Sequence, residues 1–334
     1  MLQILVAALV LSILATLAAA FGFFAMPGHS FVGRAGALLP EAVPMRKRLE
    51  AHVRTLAEII GERHYQKPGS LEQAAHYIEG CLNQVGYEVR SQHYGPGAPM
   101  PFRNLEVELR GIGRPEEIVI LAAHYDTVTG SPGADDNATG VAALLELARE
   151  FYGQRLSRTL RFVAFVNEEE PFAETERMGS RIYARAVSAR GDRIVGMIAL
   201  ESIGYYRDEP GSQRYPAPIR WFYPDTGTFL AFVGDFASRD LVRHTIASFR
   251  THAQLPSEGI AIPEALVPDI NRSDHASFWR YGYPAIMVTD TVPFRNPHYH
   301  SDEDLPETLD FERLSLAVLG MKAVLSDLAD HDLS

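Results

Sequence analysis

The chain alternates short apolar runs with longer amphipathic segments, and this alternation limits its possible folds more than any other feature. Residues 118–123 and 160–166 are apolar at nearly every position, and the segments 137–152 and 178–187 that follow them repeat apolar residues at helical spacing. Fully apolar runs of this length are typical of strands that helices cover on both faces. The alternation therefore predicts an α/β fold built on one sheet.

The remaining apolar segments continue this pattern without a break. Alternating residues at 102–109 predict a strand near a sheet edge, and 311–328 predict a closing helix. Because no linker divides this region, we expect a single domain over residues 44–334, preceded by a linker at 27–43. Other predicted strands lie at 194–200, 229–234 and 285–289, and other predicted helices at 44–60, 71–85 and 239–249.

Residues 1–26 differ from the rest of the chain because they carry no charged side chain. Residues 2–20 are almost entirely Leu, Ile, Val and Ala, which makes a run long enough to cross a bilayer. The small residues at 18–20 also suit a cleavage site, so a signal segment is the open alternative. We favour a membrane anchor with the folded domain outside the cytoplasm; cleavage would leave a secreted or periplasmic protein.

Charge and cysteine content exclude several kinds of partner and site. The chain has 42 acidic and 31 basic residues, a net charge of −11 that disfavours a nucleic-acid partner. Cys81 is the only cysteine, so the chain forms no intramolecular disulfide and no cysteine-based zinc site. Any bound metal must therefore use histidine and carboxylate ligands.

Carboxylates and one histidine stand directly after three of the predicted strands: His124 and Asp126, then Glu168 and Glu169, then Glu201. Ligands of an open α/β sheet bind beyond the carboxyl ends of its strands, so we expect these groups to converge on one crevice. Like charges repel in such a cluster, and a divalent metal is the common compensation. Three such strand ends together favour a metal site over separately solvated loop residues.

Two further loops carry residues of the same kind. The turn-rich segment 130–140 leads into a predicted helix and contains Asp135, Asp136 and Asn137 in succession. Helix capping accounts for one of these three residues but does not require all of them. A second loop, between the last predicted strand and the last helix, contains His298, Tyr299 and His300, which is weak evidence when taken alone.

These motifs resemble, in order and approximate spacing, those of the co-catalytic zinc aminopeptidases. That family includes secreted bacterial leucyl aminopeptidases and has glutamate carboxypeptidases and glutaminyl cyclases as relatives. The resemblance covers about residues 44–330 and implies a three-layer α/β/α sandwich around a mixed, mostly parallel sheet of about eight strands. The motifs are His124–Asp126, Asp135–Asn137, Asn167–Glu169, Leu200–Glu201, Ser273–His275 and Pro297–His300.

Carried over residue by residue, the resemblance implies a site for two Zn²⁺ ions. His124 and Glu201 would bind one zinc, Glu169 and His300 the other, and Asp135 would bridge them. The resemblance also implies a cis peptide between Asp135 and Asp136. In this assignment each ion receives one histidine, one terminal carboxylate and the shared aspartate.

The resemblance further implies that Glu168 is the general base, that Asp126 orients His124, and that Tyr299 donates a hydrogen bond to the oxyanion. Because Glu168, Glu169 and Glu170 are consecutive, the shifted pair Glu169 and Glu170 stays open as base and ligand. The expected activity is a metal-dependent exopeptidase that removes the N-terminal residue from peptide substrates.

Two other functions stay open. The first is a glutaminyl-peptide cyclotransferase with a single zinc, and the second is a non-catalytic, membrane-tethered binding domain. The complete ligand set together with Glu168 favours the two-zinc aminopeptidase over both. The sequence does not indicate the preferred N-terminal residue, the native metal or the oligomeric state.

Overall fold

A computed structural model describes residues 25–33, 40, 42–96, 101–216 and 219–330 of the chain. Its described part centres on one eight-stranded sheet with the order β1-β2-β4-β3-β5-β8-β6-β7. The strands are β1 (Arg90–Tyr94), β2 (Phe102–Leu109), β3 (Arg114–His124), β4 (Arg158–Phe165), β5 (Arg193–Glu201), β6 (Leu230–Gly234), β7 (Ser257–Ala261) and β8 (Ala285–Thr289).

The sheet is mixed, and its centre is parallel. β4, β3, β5 and β8 run parallel to one another, β1 and β2 are antiparallel at one edge, and β6 and β7 form a parallel pair that is antiparallel to β8. The helices are α1 (Ala42–Arg54, continued by a π-helical turn at Thr55–Ile60), α2 (Pro68–Val85), α3 (Gly140–Phe151), α4 (Gly179–Arg190), α5 (Arg239–His252), α6 (His275–Trp279) and α7 (Phe311–Asp330).

Apolar side chains of β3 alternate between the two faces of the sheet. Val119 and Leu121 belong to the core that includes residues of α1, α2, α3, α5 and α7, whereas Ile118 and Ile120 belong to a second core with α4 and Phe278 of α6. Both faces are thus buried, as the unbroken apolar run of β3 predicts. The predicted three-layer α/β/α sandwich with a mixed sheet of eight strands is confirmed.

On the α4 side of the sheet, strands β6, β7 and β8 are not covered by a long helix of the described part of the chain. Their apolar residues, including Val233, Ile260 and Met287, pack with Ile219 and Ile270 from irregular segments and form a third, smaller core. Because short segments rather than a long helix cover this part of the sheet, there is room for a cavity beside the strand ends.

Strands β1 and β7 are not among the strands that the sequence pattern predicts. β1 reads Arg-Ser-Gln-His-Tyr and is largely exposed, and β7 begins with Ser257, Glu258 and Gly259. Each lies at an edge of the sheet, where a strand has one neighbour and polar residues interrupt the apolar pattern. Their identity as strands therefore depends on pairing with β2 and β6 rather than on local sequence.

The predicted membrane segment at residues 1–26 lies outside the described residues apart from its last two positions. Among the residues that the structure does describe, no helix is both long and apolar enough to cross a bilayer.

Candidate metal centre

The first of two clusters at the carboxyl edge of the sheet contains His124, Asp136 and Glu201. His124 is the last residue of β3 and Glu201 the last residue of β5, and these strands are parallel neighbours. The Nε2 atom of His124 lies 3.2 Å from Asp136 Oδ1 and 3.3 Å from Glu201 Oε2. All three side chains are buried, and their ligand atoms lie within 4.8 Å of one another, close enough to share one metal ion.

The second cluster contains Asp136 again, together with Glu169 and His300. His300 Nε2 lies 3.2 Å from Asp136 Oδ2 and 3.3 Å from Glu169 Oε2. The two oxygens of Asp136 therefore face different histidines, one in each cluster. A carboxylate in this position has the geometry of a bridging ligand between two metal ions.

Asp136, one position after the residue that the resemblance assigns as the bridge, is the aspartate that lies in both clusters, and Asp135 lies in neither. Asp135 Oδ1 accepts the backbone N–H of Gly204 at 3.0 Å, and its Oδ2 accepts the Asn296 side-chain amide at 2.8 Å. Its carboxylate belongs to neither cluster. The two adjacent side chains diverge because the turn at Ala134–Thr139 directs Asp135 towards Gly204 and Asp136 towards the histidines. The cis peptide likewise follows Asp136 rather than Asp135.

Within the run of three glutamates after β4, burial separates the members. Glu169 is buried in the second cluster, whereas Glu170 is exposed. Glu168 is partly buried, with Oε2 3.9 Å from His124 Nε2. This arrangement favours Glu169 over Glu170 as the metal ligand and leaves Glu168 beside the site.

Asp126 lies behind His124, on the side away from the cluster. His124 Nδ1 is 3.2 Å from the backbone carbonyl oxygen of Asp126 and 3.6 Å from its carboxylate. The same carboxylate accepts the backbone N–H groups of Glu168 and Glu169 at 3.1 and 3.2 Å. Asp126 therefore contacts the His124 imidazole on the side away from the cluster and holds the start of the glutamate run by two hydrogen bonds.

Tyr299 lines a cavity of about 130 Å³ that also reaches Asp136 and Glu201 of the clusters. Its ring stacks on the His300 imidazole with centroids 3.7 Å apart. Tyr299, Asp136, Glu168 and Glu201 line one end of this cavity, and residues of the third apolar core line much of the rest.

Electrostatics of the clusters fit a bound cation. Burial raises the pKa of Glu169 to about 7, with Asp136 as the next cause, and burial also raises the pKa of Glu201. Burial would lower the pKa of His300, but Asp136 and Glu169 raise it to about 10. Asp136 Oδ1 and Glu169 Oε1 are buried without a hydrogen-bond donor. Buried carboxylate oxygens that lack donors and converge with imidazoles are suited to a divalent metal such as zinc.

Three supporting residues carry no sequence signal that singled them out. Asp304 accepts the backbone N–H groups of Asp135 and Asp136, and Ser273 donates its hydroxyl to Glu201 Oε2 at 2.7 Å. The guanidinium of Arg63 is completely buried and donates to backbone carbonyls of the loop before Asp135. Of these three residues, only Ser273 lies in one of the sequence motifs, as the first residue of the Ser273–His275 segment.

Comparison with protein families gives a match to peptidase family M28 over residues 104–317. Among curated proteins, the chain is 36% identical over 288 residues to "Uncharacterized protein YfbL" of Escherichia coli (strain K12), covering 84% of this chain and 87% of that protein. It is also 27% identical to "Leucine aminopeptidase 1" of Trichophyton equinum, over 60% of this chain and about half (52%) of the fungal protein.

Solved structures with the same fold include BSAP, a zinc aminopeptidase from Bacillus subtilis. Its TM-score is 0.66 at 16% identity, covering 85% of this chain and 95% of that one. A glutaminyl cyclase from Bacteroides thetaiotaomicron superposes with a TM-score of 0.63 at 17% identity, covering 84% of this chain and 97% of that one. At these identities the similarity establishes the fold alone.

Proposed function

The chain belongs to peptidase family M28 and is a metallopeptidase, and from that starting point we propose that it is an aminopeptidase that uses two zinc ions and Glu168 as its general base. The names of its relatives support zinc as the metal and the N-terminal residue as the one removed. The observation that carries the proposal is the position of Asp136, whose two oxygens face His124 and His300 separately.

Each of the two sites would have three ligands from the chain. His124, Glu201 and Asp136 would hold one ion, and Glu169, His300 and Asp136 the other. Zinc in such a pair of sites supplies Lewis acidity and lowers the pKa of water. Three protein ligands per ion are typical of catalytic rather than structural zinc sites.

Glu168 is the group best placed to move a proton. It lines the cavity beside the first cluster, and burial, together with the nearby carboxylates of Glu201 and Glu169, raises its pKa well above the usual range although His124 acts in the opposite direction. A carboxylate with a raised pKa can accept a proton from water and deliver it to the departing amine near neutral pH. Tyr299, at the same end of the cavity, would donate a hydrogen bond to the carbonyl oxygen as it gains charge.

Cavity size and charge favour removal of a single N-terminal residue. The cavity of about 130 Å³ has room for one amino-acid side chain. The carboxylates of Glu168 and Glu201 at one end of it would attract the free α-amino group of a substrate. An internal peptide segment lacks that ammonium group, so it would bind less well.

A single-zinc glutaminyl cyclotransferase is the second candidate, since a glutaminyl cyclase shares the fold. The presence of both clusters, each with a histidine and two carboxylates, favours two ions over one. A zinc content near one per chain, together with formation of pyroglutamate from N-terminal glutamine, would reverse this preference.

The proposal is tested with a Glu168→Gln variant. Zinc content should stay near two per chain while hydrolysis of leucyl reporter substrates falls by about 100-fold or more, because the amide does not accept a proton. Glu170→Gln serves as the matched control, because it makes the same change at an exposed neighbour and should keep full activity. Unchanged hydrolysis by Glu168→Gln would exclude the general-base role.

We also propose that residues 1–26 attach the protein to a membrane with the catalytic domain outside the cytoplasm. The support is the uncharged, apolar composition of this segment. Removal of residues 1–26 should move the protein from the membrane fraction to the soluble fraction. Protease added to spheroplasts, whose cytoplasmic membrane is intact, should digest the catalytic domain of the full-length chain, and complete protection would contradict the proposed orientation.

A further inference from the structure

The cavity beside the metal centre ends at a carboxylate that the proposed chemistry does not use. Glu258, on edge strand β7, lines the cavity together with Tyr215 and Tyr223. Most of the remaining wall is apolar and includes Ile260 and Met287. An acidic side chain in a mostly apolar wall is costly unless a ligand or a partner compensates it.

Strand register places Glu258 in line with the metal centre. Glu201 pairs with Thr289, Thr289 pairs with Ala231, and Ala231 pairs with Glu258, so the four residues form one row across β5, β8, β6 and β7. Three strand spacings separate the ends of the row by about 14 Å between backbones. A substrate with its α-amino group near Glu201 would extend its side chain along this row towards Glu258.

Hydrogen bonding leaves the carboxylate of Glu258 available. Among the described residues none donates a hydrogen bond to it, and the cation in contact with it is Arg250, whose Nη2 lies 3.7 Å from Oε2. The guanidinium of Arg250 donates instead to the backbone carbonyls of Ser257 at 2.8 Å and Pro27 at 3.0 Å. Burial raises the pKa of Glu258, and Arg250 offsets this only in part.

Aromatic rings complete this end of the cavity. The rings of Tyr215 and Tyr223 lie 5.8 Å apart, and their hydroxyls donate to the carbonyls of Pro224 and Gly259. With their hydroxyl protons already donated, these residues offer a ligand their ring faces, which attract cations, and their phenolic oxygens as acceptors. The cavity lining also includes Asp269 and Arg272. These two residues form an ion pair with each other at 3.0 Å, so their charges largely compensate one another.

We propose that Glu258 determines specificity and that the preferred substrates are peptides with an N-terminal lysine or arginine. The aliphatic part of such a side chain would pack along Ile260 and Met287, and its cation would pair with Glu258 beside Tyr215 and Tyr223. Leucine is too short to reach Glu258 and leaves Arg250, at 3.7 Å, as the cation in contact with its carboxylate. This inference rests on the proposed aminopeptidase function.

The test compares lysyl and norleucyl p-nitroanilides, because the two side chains have the same alkyl chain and differ in the terminal ammonium. The wild-type enzyme should favour the lysyl substrate by about 10- to 100-fold in kcat/KM, as expected for a hydrogen bond to a charged group. In Glu258→Gln this preference should fall to near unity, mainly through KM, because the contact exists in both the ground state and the transition state.

Two controls make the result specific to Glu258. Hydrolysis of the leucyl substrate by Glu258→Gln should stay within a few-fold of wild type, which shows that the variant is folded and loaded with metal. Glu116→Gln removes the same charge at an exposed position outside the cavity lining and should keep the lysyl preference. A lysyl preference that Glu258→Gln leaves unchanged would overturn the inference, and so would a wild-type preference for the norleucyl or leucyl substrate.

If the proposed aminopeptidase function is wrong, the experiment gives a result that differs from a failure of the Glu258 inference. If the zinc-loaded protein hydrolyses none of the aminoacyl substrates, the aminopeptidase proposal is wrong. Calorimetric binding of lysinamide and norleucinamide to wild type and Glu258→Gln then decides the role of Glu258 by itself. Equal binding of the two amides to wild type would overturn it, and tighter lysinamide binding that is lost in the variant would support it.

Discussion

The carboxylate of Asp304 accepts the backbone N–H of Asp136 at 3.1 Å, although 168 positions separate the two residues in the chain. Its other oxygen accepts the N–H of Asp135 at 2.9 Å. Both bonds reach the backbone of the turn rather than its side chains. Asp304 therefore holds the turn in the conformation that turns Asp136 towards both histidines and Asp135 away from them.

Replacement of Asp304 by asparagine should weaken zinc binding without removing a ligand. The asparagine amide places an N–H₂ group against one of the two backbone N–H donors, so one hydrogen bond is lost and the turn loosens. Residues that support metal ligands typically account for about 10- to 100-fold in affinity or activity. We expect a loss of that size in zinc affinity, measured by competition with a chromophoric chelator.

Asp302→Asn is the matched control for this change. Asp302 is exposed and lies two positions before Asp304 in the same loop. It should bind zinc as the wild type does. Equal zinc affinities for Asp304→Asn and Asp302→Asn would show that the turn keeps its shape without Asp304.

Replacing each of the two adjacent aspartates separately tests which of them bridges the metals. Asp136→Asn should reduce the zinc content, because both proposed sites lose an anionic ligand. It should also lower kcat/KM by more than about 100-fold, which is the largest loss typical of residues that only support metal ligands. Asp135→Asn should keep two zinc ions and lose less activity, because it contacts Gly204 and Asn296 instead. Elemental analysis of the purified variants measures zinc content and hydrolysis assays measure kcat/KM, and the opposite order would restore Asp135 as the bridge.

The sequence predicts the parts of the site that follow directly from strand ends. His124 and Glu201 terminate apolar runs, and the parallel pairing of β3 and β5 brings them together as expected. The choice between Asp135 and Asp136 is not predictable from the local pattern, because both are acidic and the turn that separates them is fixed by Asp304. Contacts between residues so far apart in the chain leave no periodic signal.

The same reasoning explains which parts of the fold are predictable. The central strands are apolar throughout because helices cover both faces, so the pattern marks them clearly. The edge strands β1 and β7 each have one strand neighbour and carry polar residues, among them Glu258; β1 is largely exposed, whereas β7 is buried except for Glu258. A pattern of burial cannot reveal a strand that is defined mainly by its backbone pairing.

Arg63 should contribute strongly to stability because its buried guanidinium connects several loops. It donates to the backbone carbonyls of Tyr125 at 2.7 Å, Pro132 at 2.6 Å and Gly133 at 2.8 Å. Burial lowers the pKa of Arg63 to about 10, so it stays charged at neutral pH. In Arg63→Met these carbonyls lose their donor, at about 1–3 kcal/mol for each buried group left unpaired.

We expect Arg63→Met to lower the free energy of unfolding by about 3–5 kcal/mol in urea titrations. Arg110→Met, at an exposed position, should change it by less than about 0.5 kcal/mol. A similar small effect for both variants would mean that water replaces the guanidinium without cost.

His275 should make the protein less stable in acid. Its ring is fully buried, Nε2 donates to the carbonyl of Ile270 at 2.7 Å, and Nδ1 has no hydrogen-bond partner. Burial lowers its pKa from 6.5 to about 4, so the unfolded chain binds a proton in a pH range where the folded chain does not. Stability from this residue is therefore constant above about pH 6.5 and decreases as the pH falls from 6.5 to 4, by up to about 3 kcal/mol.

A His275→Gln variant isolates that contribution, because glutamine keeps a donor for Ile270 but does not titrate. Its free energy of unfolding at pH 7.5 should lie below that of wild type, since the ring contact with Trp279 is lost. The difference between the two proteins should then shrink as the pH falls to 4.5, because only the wild type loses stability through His275. Comparison of the two proteins cancels the acid sensitivity of the metal centre, which both share. A constant difference for His275→Gln would mean that the buried ring is protonated in the folded state.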